Sequence, residues 1–381
     1  MTSLYVHIPF CERKCSYCDF YSLEGTGLAD EFLAALLKEI GGRADETRAA
    51  VVDTVFFGGG TPSLLTTDQL EAILAALGAA FRIAPDAEIT LQANPGTVTE
   101  QKLRGFRALG VNRLSIGIQS FHDGELRTLG RIHDRAEAIR CLELARAAGF
   151  ENVGFDLIYA IPGQTLADWE DNLRTAADLA PQHIAAYNLT LEEGTPLAAL
   201  IRTGAVHPAL PDLEAAMYEW TMELLDRRGY EHYEVSNYAR PGFRCRHNCT
   251  YWSHEEYLGF GPSAHSFRRG SEWAGGCRWW NVSDLSVYLD RLQDGVLPTA
   301  SEERLGADEL LDERIFLGLR SGGLDLRRLL LDFRHDLAAQ KRDVLRGMME
   351  GDLASLSDGV LRLRPKGYLV CDEICRMLLR R

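Results

Sequence analysis

The 381-residue sequence has no long hydrophobic run and no excess of basic residues. No uninterrupted apolar stretch approaches the ~18 residues that a membrane-spanning helix needs. The formal net charge of −14 argues against a general nucleic-acid binder, because such a protein presents a basic surface to the phosphates. We therefore expect a soluble protein, at most peripheral at the inner face of a membrane, with no nucleic-acid partner.

Cysteine is too scarce for a disulfide scaffold. The nine cysteines are unevenly spaced, and the sequence shows no signal peptide, which together indicate a reducing compartment. A cytoplasmic protein is expected.

Three of the nine cysteines lie close together near the N-terminus. Cys11, Cys15 and Cys18 have CxxxCxxC spacing and follow an apolar run at residues 4–8. A [4Fe–4S] cube normally takes four thiolates, one for each iron. The spacing therefore predicts a cluster whose fourth iron is open to another ligand.

A structural zinc site is the alternative for these cysteines. Zinc also binds cysteine clusters, and His7 could complete a Cys3His set. However, His7 lies only four residues before Cys11 in a strand-like run, and zinc sites are more often built from paired CxxC motifs. The iron–sulfur cluster is favoured, and a zinc-stabilised regulator is the outside alternative.

Residues 1–190 alternate between short β-rich runs and amphipathic helical stretches. Strands are predicted at residues 4–8, 54–57, 88–91, 113–116, 153–158 and 184–187, and helices between them include 31–40, 69–81 and 135–148. This alternation is typical of an α/β protein with a parallel sheet, because right-handed crossovers return each helix across the sheet.

Polar or glycine-rich segments come at the ends of these strands. They are the cysteine loop, residues 58–62, residues 92–95, Gln119, Asp156 and Asn188. A doubly wound sheet would concentrate them at one switch point, whereas a barrel brings all such loops to one face. We therefore predict an incomplete TIM-like (β/α)6 barrel with its site at that face.

Two of these segments have ordinary structural alternatives. The run Gly58-Gly59-Gly60-Thr61-Pro62 lets a ligand approach the backbone, but glycine triplets also form simple turns. It matches neither the GxxxxGKS/T phosphate loop nor the GxGxxG fingerprint. Asp156 interrupts an apolar strand, so its carboxylate faces either a structural partner or a ligand.

Together, these segments resemble the oxygen-independent coproporphyrinogen oxidase (HemN-like) family of radical S-adenosylmethionine (SAM) proteins. The matching segments are YVHIPFC at 5–11, CSYC at 15–18, GGGTP at 58–62, ANPG at 93–96, SIGIQS at 115–120 and DLIY at 156–159. The resemblance implies a radical SAM barrel in which Cys11, Cys15 and Cys18 hold a [4Fe–4S] cluster and SAM occupies the open iron. The residues that it implies for SAM binding are Tyr5, Tyr17, Gly59, Gly60, Thr61, Gln92, Gln119, Arg131 and Asp156. Gln92 departs from the family pattern, which usually has Glu at that position.

Further features resemble the heme-chaperone (HemW-type) branch of this family. The true oxidases have a fourth cysteine two positions after the third, where this chain has Phe20, and a longer segment before the motif, where this chain has ten residues. Residues 246–252, RHNCTYW, resemble the HNxxYW segment linked with heme binding in that branch. His247 is therefore the candidate heme ligand, with Cys249 as its rival, while a hydrogen-bonded histidine in a packed aromatic region is the structural alternative.

We predict three domains. Residues 1–207 form the radical SAM barrel, 208–305 an aromatic-rich accessory α+β region, and 306–381 a winged-helix-like domain. Residues 208–212 and 295–306 are predicted as linkers. In the last domain, helices at 309–319, 326–331 and 338–349 precede a hairpin of residues 360–363 and 368–370. The balanced charge of this domain leaves docking or dimerisation open beside DNA binding.

The resemblance implies a heme chaperone that holds the cluster, SAM and heme and delivers heme to recipient hemoproteins, with respiratory hemoproteins at the membrane among the candidates. The alternative is an oxygen-independent coproporphyrinogen III oxidase, which decarboxylates porphyrinogen propionates after reductive cleavage of SAM. Phe20 and the short segment before Cys11 favour the chaperone. A homodimer is compatible with the sequence.

Overall fold

The computed structural model describes residues 2–44, 51–270 and 275–379. Most strands belong to one twelve-stranded sheet. In chain order the strands are β1 (Thr2–Ile8), β2 (Phe10–Cys11), β3 (Leu23–Glu24), β4 (Val51–Gly59), β5 (Arg82–Ala93), β6 (Arg113–Gln119), β7 (Asn152–Tyr159), β8 (His183–Asn188), β9 (Glu231–Glu234), β10 (Asn237–Ala239), β11 (Tyr257–Phe260), β12 (His265–Arg269), β13 (Gly275–Asn281), β14 (Thr299–Gly306), β15 (Leu324–Asp325), β16 (Ala354–Ser357) and β17 (Val360–Leu363).

Helices connect the strands, and several of the predicted helices begin with a capping box, as at Thr66 and Asp134. They are α1 (Ala29–Gly42), α2 (Thr67–Ala80), α3 (Glu100–Ala108), α4 (Asp123–Leu129), α5 (Arg135–Ala147), α6 (Leu166–Asp178), α7 (Pro196–Arg202), α8 (Pro211–Arg227), α9 (Arg246–Trp252), α10 (Leu285–Gln293), α11 (Ala307–Leu319), α12 (Leu326–Phe333), α13 (Leu337–Gln340), α14 (Arg342–Glu350), α15 (Pro365–Leu369) and α16 (Cys371–Leu378). None of the helices in the described ranges is long and apolar enough to cross a membrane.

The six predicted barrel strands are all present. Strands β1, β4, β5, β6, β7 and β8 are neighbours in that order, and every adjacent pair is parallel. Their sequences are mostly apolar because both faces of the sheet are buried, one under the helices and the other in the barrel interior. As far as the described residues go, the sheet ends at β14 and β9 without closing. The predicted α/β class and incomplete (β/α)6 barrel are confirmed.

Residues beyond the six strands extend both edges of the same sheet. Strand β11 pairs parallel with β1 and is followed outward by β12, β13 and β14, while β10 and β9 continue beyond β8. The predicted linker at 295–306 is wrong over 299–306, which form β14, an edge strand whose charged residues face solvent. The predicted linker at 208–212 ends early, since Pro211 opens α8 at a position where proline suits a helix.

A buried carboxylate joins the barrel to these added strands. Glu39 on α1 accepts hydrogen bonds from the Tyr288 hydroxyl at 2.7 Å, the Asn281 side chain at 2.7 Å and the Gly261 amide at 2.8 Å. The Arg43 guanidinium lies 3.3 Å from the same carboxylate. Because the charge is paired and its oxygens are satisfied, the network fixes α1 against the added strands.

The C-terminal part has its own small core around Ile315, Leu361 and Ile374. Along this part of the chain a helix, a short strand, three helices and two strands follow one another, and the winged-helix-like domain stays a prediction. The hairpin lies one strand earlier than predicted, in β16 and β17, because Asp358 and Gly359 both adopt the left-handed conformation that tight hairpin turns need. Residues 368–370 do not form a strand, since Pro365 begins helix α15 there.

Candidate cluster and SAM site

One cavity of about 680 Å³ holds most of the predicted site residues. It opens at the C-terminal ends of the barrel strands, where loops of parallel α/β folds carry their sites. Its lining includes Cys11, Cys15, Cys18, Tyr17, Gly59, Gly60, Thr61, Gln92, Gln119, Arg131 and Asp156. Two predicted residues, Tyr5 and His247, do not line it.

The glycine triplet at residues 58–60 positions the start of the cysteine loop against the end of β4. The Gly60 amide donates to the Ile8 carbonyl at 2.8 Å, and the Thr61 amide donates to the Phe10 carbonyl at 2.7 Å. Gly59 has a φ of 106°, and a Cβ there would lie 2.7 Å from the His7 ring. These amides are therefore used to position the loop, and it is the small size of the glycines that lets the loop approach.

Two of the thiols each accept a hydrogen bond from a side chain of the cavity. The Thr61 hydroxyl donates to Cys11 Sγ at 3.4 Å, and Arg131 Nη1 donates to Cys15 Sγ at 3.5 Å. Arg131 is held by Asn94 Oδ1 at 2.9 Å and the Gly117 carbonyl at 2.8 Å. A fixed cation and a hydroxyl beside the sulfurs favour thiolates, and such contacts tune the potential of a cluster.

The donor set fits a cluster better than the zinc alternative. His7, the proposed fourth zinc ligand, shares hydrogen bonds with the Tyr21 carbonyl at 2.8 Å and the Tyr5 hydroxyl at 3.3 Å, so both of its ring nitrogens are engaged. Across the described ranges no three His, Cys, Asp or Glu residues are arranged as ligands of one ion. A cube binds each thiolate through a different iron, so its ligands need only surround a common cavity.

Asp156 offers a carboxylate to the cavity. Its Oδ1 accepts a hydrogen bond from the Ser115 hydroxyl at 3.0 Å. Burial raises the pKa of the Asp156 carboxyl to about 6, although Ser115 and the charges of Arg113 and Arg131 act in the opposite direction. An acceptor poised near neutrality suits the ammonium or ribose hydroxyls of SAM.

Gln119 has a left-handed backbone with a φ of 68°, beside a register shift in β6. A left-handed backbone is uncommon for a non-glycine residue, and functional sites are one of the places where it occurs. Gln92 lines the cavity beside Gly58, and its Oε1 would lie 3.1 Å from a Cβ at that glycine. The Tyr17 ring lines the cavity while packing near Leu129, Ile158 and Ile161.

Sequence reasoning placed Asn94 and Ser115 in matching segments but gave neither residue a role of its own. The Asn94 amide donates to Thr61 Oγ1 at 2.9 Å while its oxygen holds Arg131, so it links the donors of two cysteines. Asn94 lies in the ANPG segment, which was a usable signal. For Ser115 the only signal was its place in the SIGIQS segment, because its role is to donate a hydrogen bond to Asp156 on the neighbouring strand.

His247 and Tyr5 belong to a packed aromatic cluster inside the barrel. His247 is buried, and its nitrogens share hydrogen bonds with Thr54 Oγ1 at 2.7 Å and the Tyr251 hydroxyl at 2.9 Å. Its ring stacks on Phe56 at 5.0 Å, and burial, with Arg113, lowers its pKa to about 3. Binding heme iron through His247 would require one of these hydrogen bonds to break.

The helix that carries His247 is fixed at its start. The Glu88 carboxylate accepts hydrogen bonds from the backbone amides of Arg246 and His247, both at 3.2 Å, at the N-terminus of α9. Cys249, the rival heme ligand, lines a separate cleft with Thr2 and Ser3, at the opposite end of β1 from the cysteine loop. The structure therefore does not bring His247 and Cys249 to one exposed surface.

Comparison with known proteins shows the family of this chain. The Radical SAM superfamily model matches residues 5–176, and the fold and the cysteine loop define a radical SAM protein. The heme chaperone HemW of Bacillus subtilis (strain 168) is 35% identical over 98% of this chain and 98% of its own length. HemW of Mycobacterium tuberculosis (strain H37Rv) is 36% identical over 99% of this chain and 94% of its own. The chain belongs to the HemW heme chaperone family.

A solved structure gives the same fold. The coproporphyrinogen III oxidase (HemN) from Escherichia coli superposes with a TM-score of 0.84 and 25% identity, covering 100% of this chain and 90% of that one. Radical SAM proteins carry a [4Fe–4S] cluster and SAM. The cavity provides both the thiols and the polar groups that these two cofactors need.

Proposed function

We propose that the protein is a heme chaperone that binds heme and passes it to recipient hemoproteins. The observation that carries this proposal is the match to the HemW chaperone of Bacillus subtilis over 98% of both chains. In this proposal Cys11, Cys15 and Cys18 hold the cluster, and Gln119, Arg131 and Asp156 contact SAM with the other residues of the cavity.

When bound, the cluster and SAM supply redox chemistry. The residues of the chain do the positioning. Thr61 and Arg131 donate hydrogen bonds towards the sulfurs, and Asp156, which lines the cavity, would accept hydrogen bonds from SAM. Cys18 must lose its proton to bind iron, since burial raises the pKa of its thiol to about 11 and a metal ligand must be the thiolate.

A coproporphyrinogen III oxidase is the second candidate, favoured by the TM-score of 0.84 to that enzyme from Escherichia coli. Phe20 disfavours it. Phe20 stands at the sequence position where the oxidases have their fourth cysteine. It lines the cavity, and the residue is 63% exposed.

Anaerobic cluster reconstitution followed by two parallel assays separates the candidates. One assay supplies SAM, a reductant and coproporphyrinogen III, and the other supplies heme and an apo-hemoprotein. The chaperone proposal expects stoichiometric heme binding and transfer without protoporphyrinogen. Formation of protoporphyrinogen would overturn the chaperone proposal. Cys15→Ala, which removes a proposed cluster ligand, is tested in both assays, with Cys277→Ala as its matched control.

The proposal also includes a cytoplasmic location with peripheral contact to a membrane, where recipient hemoproteins lie. Cell fractionation with and without high salt tests it. Recovery in the soluble fraction at every salt concentration would remove the membrane contact from the proposal, and sedimentation of the pure protein tests for a homodimer.

A further inference from the structure

A second cleft lies beside the cluster cavity. It spans about 810 Å³, part of which is open solvent, and Phe20 lines both spaces. Its walls are largely aromatic, with two histidines, Asp19 and Ser263 completing the lining; the aromatic residues are Tyr5, Phe20, Tyr21, Tyr251 and Tyr257. Flat aromatic rings and an exposed phenylalanine suit a large planar ligand.

One histidine in this cleft is available to a ligand. His265, at the start of β12, is exposed, and its ring stacks on Trp280 at 5.7 Å. No hydrogen bond to either ring nitrogen of His265 is formed within the described residues. His7, in the same cleft, has both nitrogens engaged.

His247 does not line the cleft, but its hydrogen-bond partner Tyr251 does. It shares a 2.9 Å hydrogen bond with the Tyr251 hydroxyl, and the Tyr251 ring stands at 90° to the His247 ring and lines the cleft. The HNxxYW segment therefore presents its tyrosine to the cleft and keeps its histidine behind it.

We propose that heme lies in this aromatic cleft with His265 as the axial ligand of its iron, and that His247 is a positioning residue for Tyr251. This inference rests on the proposed function, because it takes heme as the cargo. Imidazole is a common ligand of heme iron, and the open ring of His265 supplies a lone pair without the loss of an internal hydrogen bond.

The test is a titration of the cluster-loaded protein with ferric hemin, followed by the Soret band. The variants are His265→Ala and His247→Gln, which retains a donor and an acceptor for Thr54 and Tyr251. His207→Ala is the control, because that histidine is exposed outside the cleft. Circular dichroism and cluster absorbance show whether each variant is folded.

We expect His265→Ala to shift the Soret band and weaken binding by about thirtyfold, the scale of a lost hot-spot contact. Free imidazole should restore the wild-type spectrum, which a purely structural defect would not allow. His247→Gln and His207→Ala should keep the wild-type axial spectrum. If His265→Ala binds as wild type, or if only His247→Gln loses the axial ligand, the inference is wrong. If the wild-type protein itself binds no heme stoichiometrically, the proposed function fails instead.

Discussion

Gly60 packs directly against Phe10. A Cβ on Gly60 would lie 2.6 Å from the Phe10 carbonyl oxygen, which also accepts the Thr61 amide at 2.7 Å. Phe10 immediately precedes Cys11. The glycine triplet and the cysteine loop are therefore one structural unit, in which backbone contact sets the position of the first cysteine.

Gly60→Ala should disrupt this unit, because a backbone carbonyl cannot move away as a flexible side chain can. We expect a loss of about 1–3 kcal/mol in the free energy of unfolding, typical of an overpacked site, together with poor cluster reconstitution. Gly27→Ala is the matched control, since nothing lies within 4 Å of a Cβ there. Urea denaturation and cluster absorbance give the two readouts. Equal behaviour of the two variants would show that the loop adjusts freely.

The three cysteines of the loop should be the protein ligands of an oxygen-sensitive [4Fe–4S] cluster. Replacing Cys11, Cys15 or Cys18 by Ala should abolish the cluster absorbance, while Cys141, Cys245, Cys249, Cys277, Cys371 and Cys375 should each be replaceable. Metal analysis checks the identity of the ion. Stoichiometric zinc, or an intact cluster in Cys15→Ala, would contradict the assignment.

SAM affinity should depend on the ionisation of Asp156. Its carboxyl has a pKa of about 6, above the usual 3.8, so the folded ligand-free protein binds this proton more tightly than the unfolded chain. The stability that this group contributes therefore falls as the pH rises from 3.8 towards 6. SAM binding should strengthen over the upper part of this range, with affinity falling by up to about tenfold per pH unit below the pKa.

Calorimetric titration at several pH values measures this effect. Asp156→Asn should weaken SAM binding at pH 7 by about tenfold or more, the scale of a lost charged hydrogen bond, and flatten the pH profile without loss of iron. Ser115→Ala should move the profile to higher pH, because Ser115 lowers the pKa of Asp156. Iron loss as severe as in Cys18→Ala would instead make Asp156 a structural residue.

Gln92→Glu returns the carboxylate that the family usually has. SAM carries a positively charged sulfonium and an ammonium group, so a carboxylate in the same cavity should leave its affinity equal or raise it by up to about tenfold. Gln119→Ala, which removes another cavity residue, should lower the affinity in the same binding assay. A large fall in SAM affinity for Gln92→Glu would contradict this expectation and show that the amide of Gln92 is itself needed for binding.

Glu39→Ala should be strongly destabilising. It removes the acceptor for Tyr288 and Asn281 and leaves the buried Arg43 without its carboxylate, and breaking such pairs costs about 3–5 kcal/mol. Glu71→Ala on the exposed face of α2 should change stability by less than about 0.5 kcal/mol. Chemical denaturation compares the two. A small effect for Glu39→Ala would mean that α1 is held by apolar packing alone.

Much of the barrel follows from local patterns in the sequence. Apolar runs separated by amphipathic stretches predicted where the six strands lie along the chain, and capping residues such as Thr66 and Asp134 mark helix starts. The cysteine spacing indicated the cluster without any structure. These features are local because strand, helix and loop ligands are each encoded within a few neighbouring residues.

Only the tertiary structure decided which residues are accessible. His247 and His265 are both histidines in aromatic surroundings, yet one is buried between Thr54 and Tyr251 and the other is exposed in a cleft. Likewise, residues 299–306 resemble a polar linker until β13 pairs with them. Burial and strand pairing depend on chain segments distant in sequence. The residue type alone therefore indicated that a histidine could be a ligand, and the packing around each histidine decided which one is buried and which one is exposed.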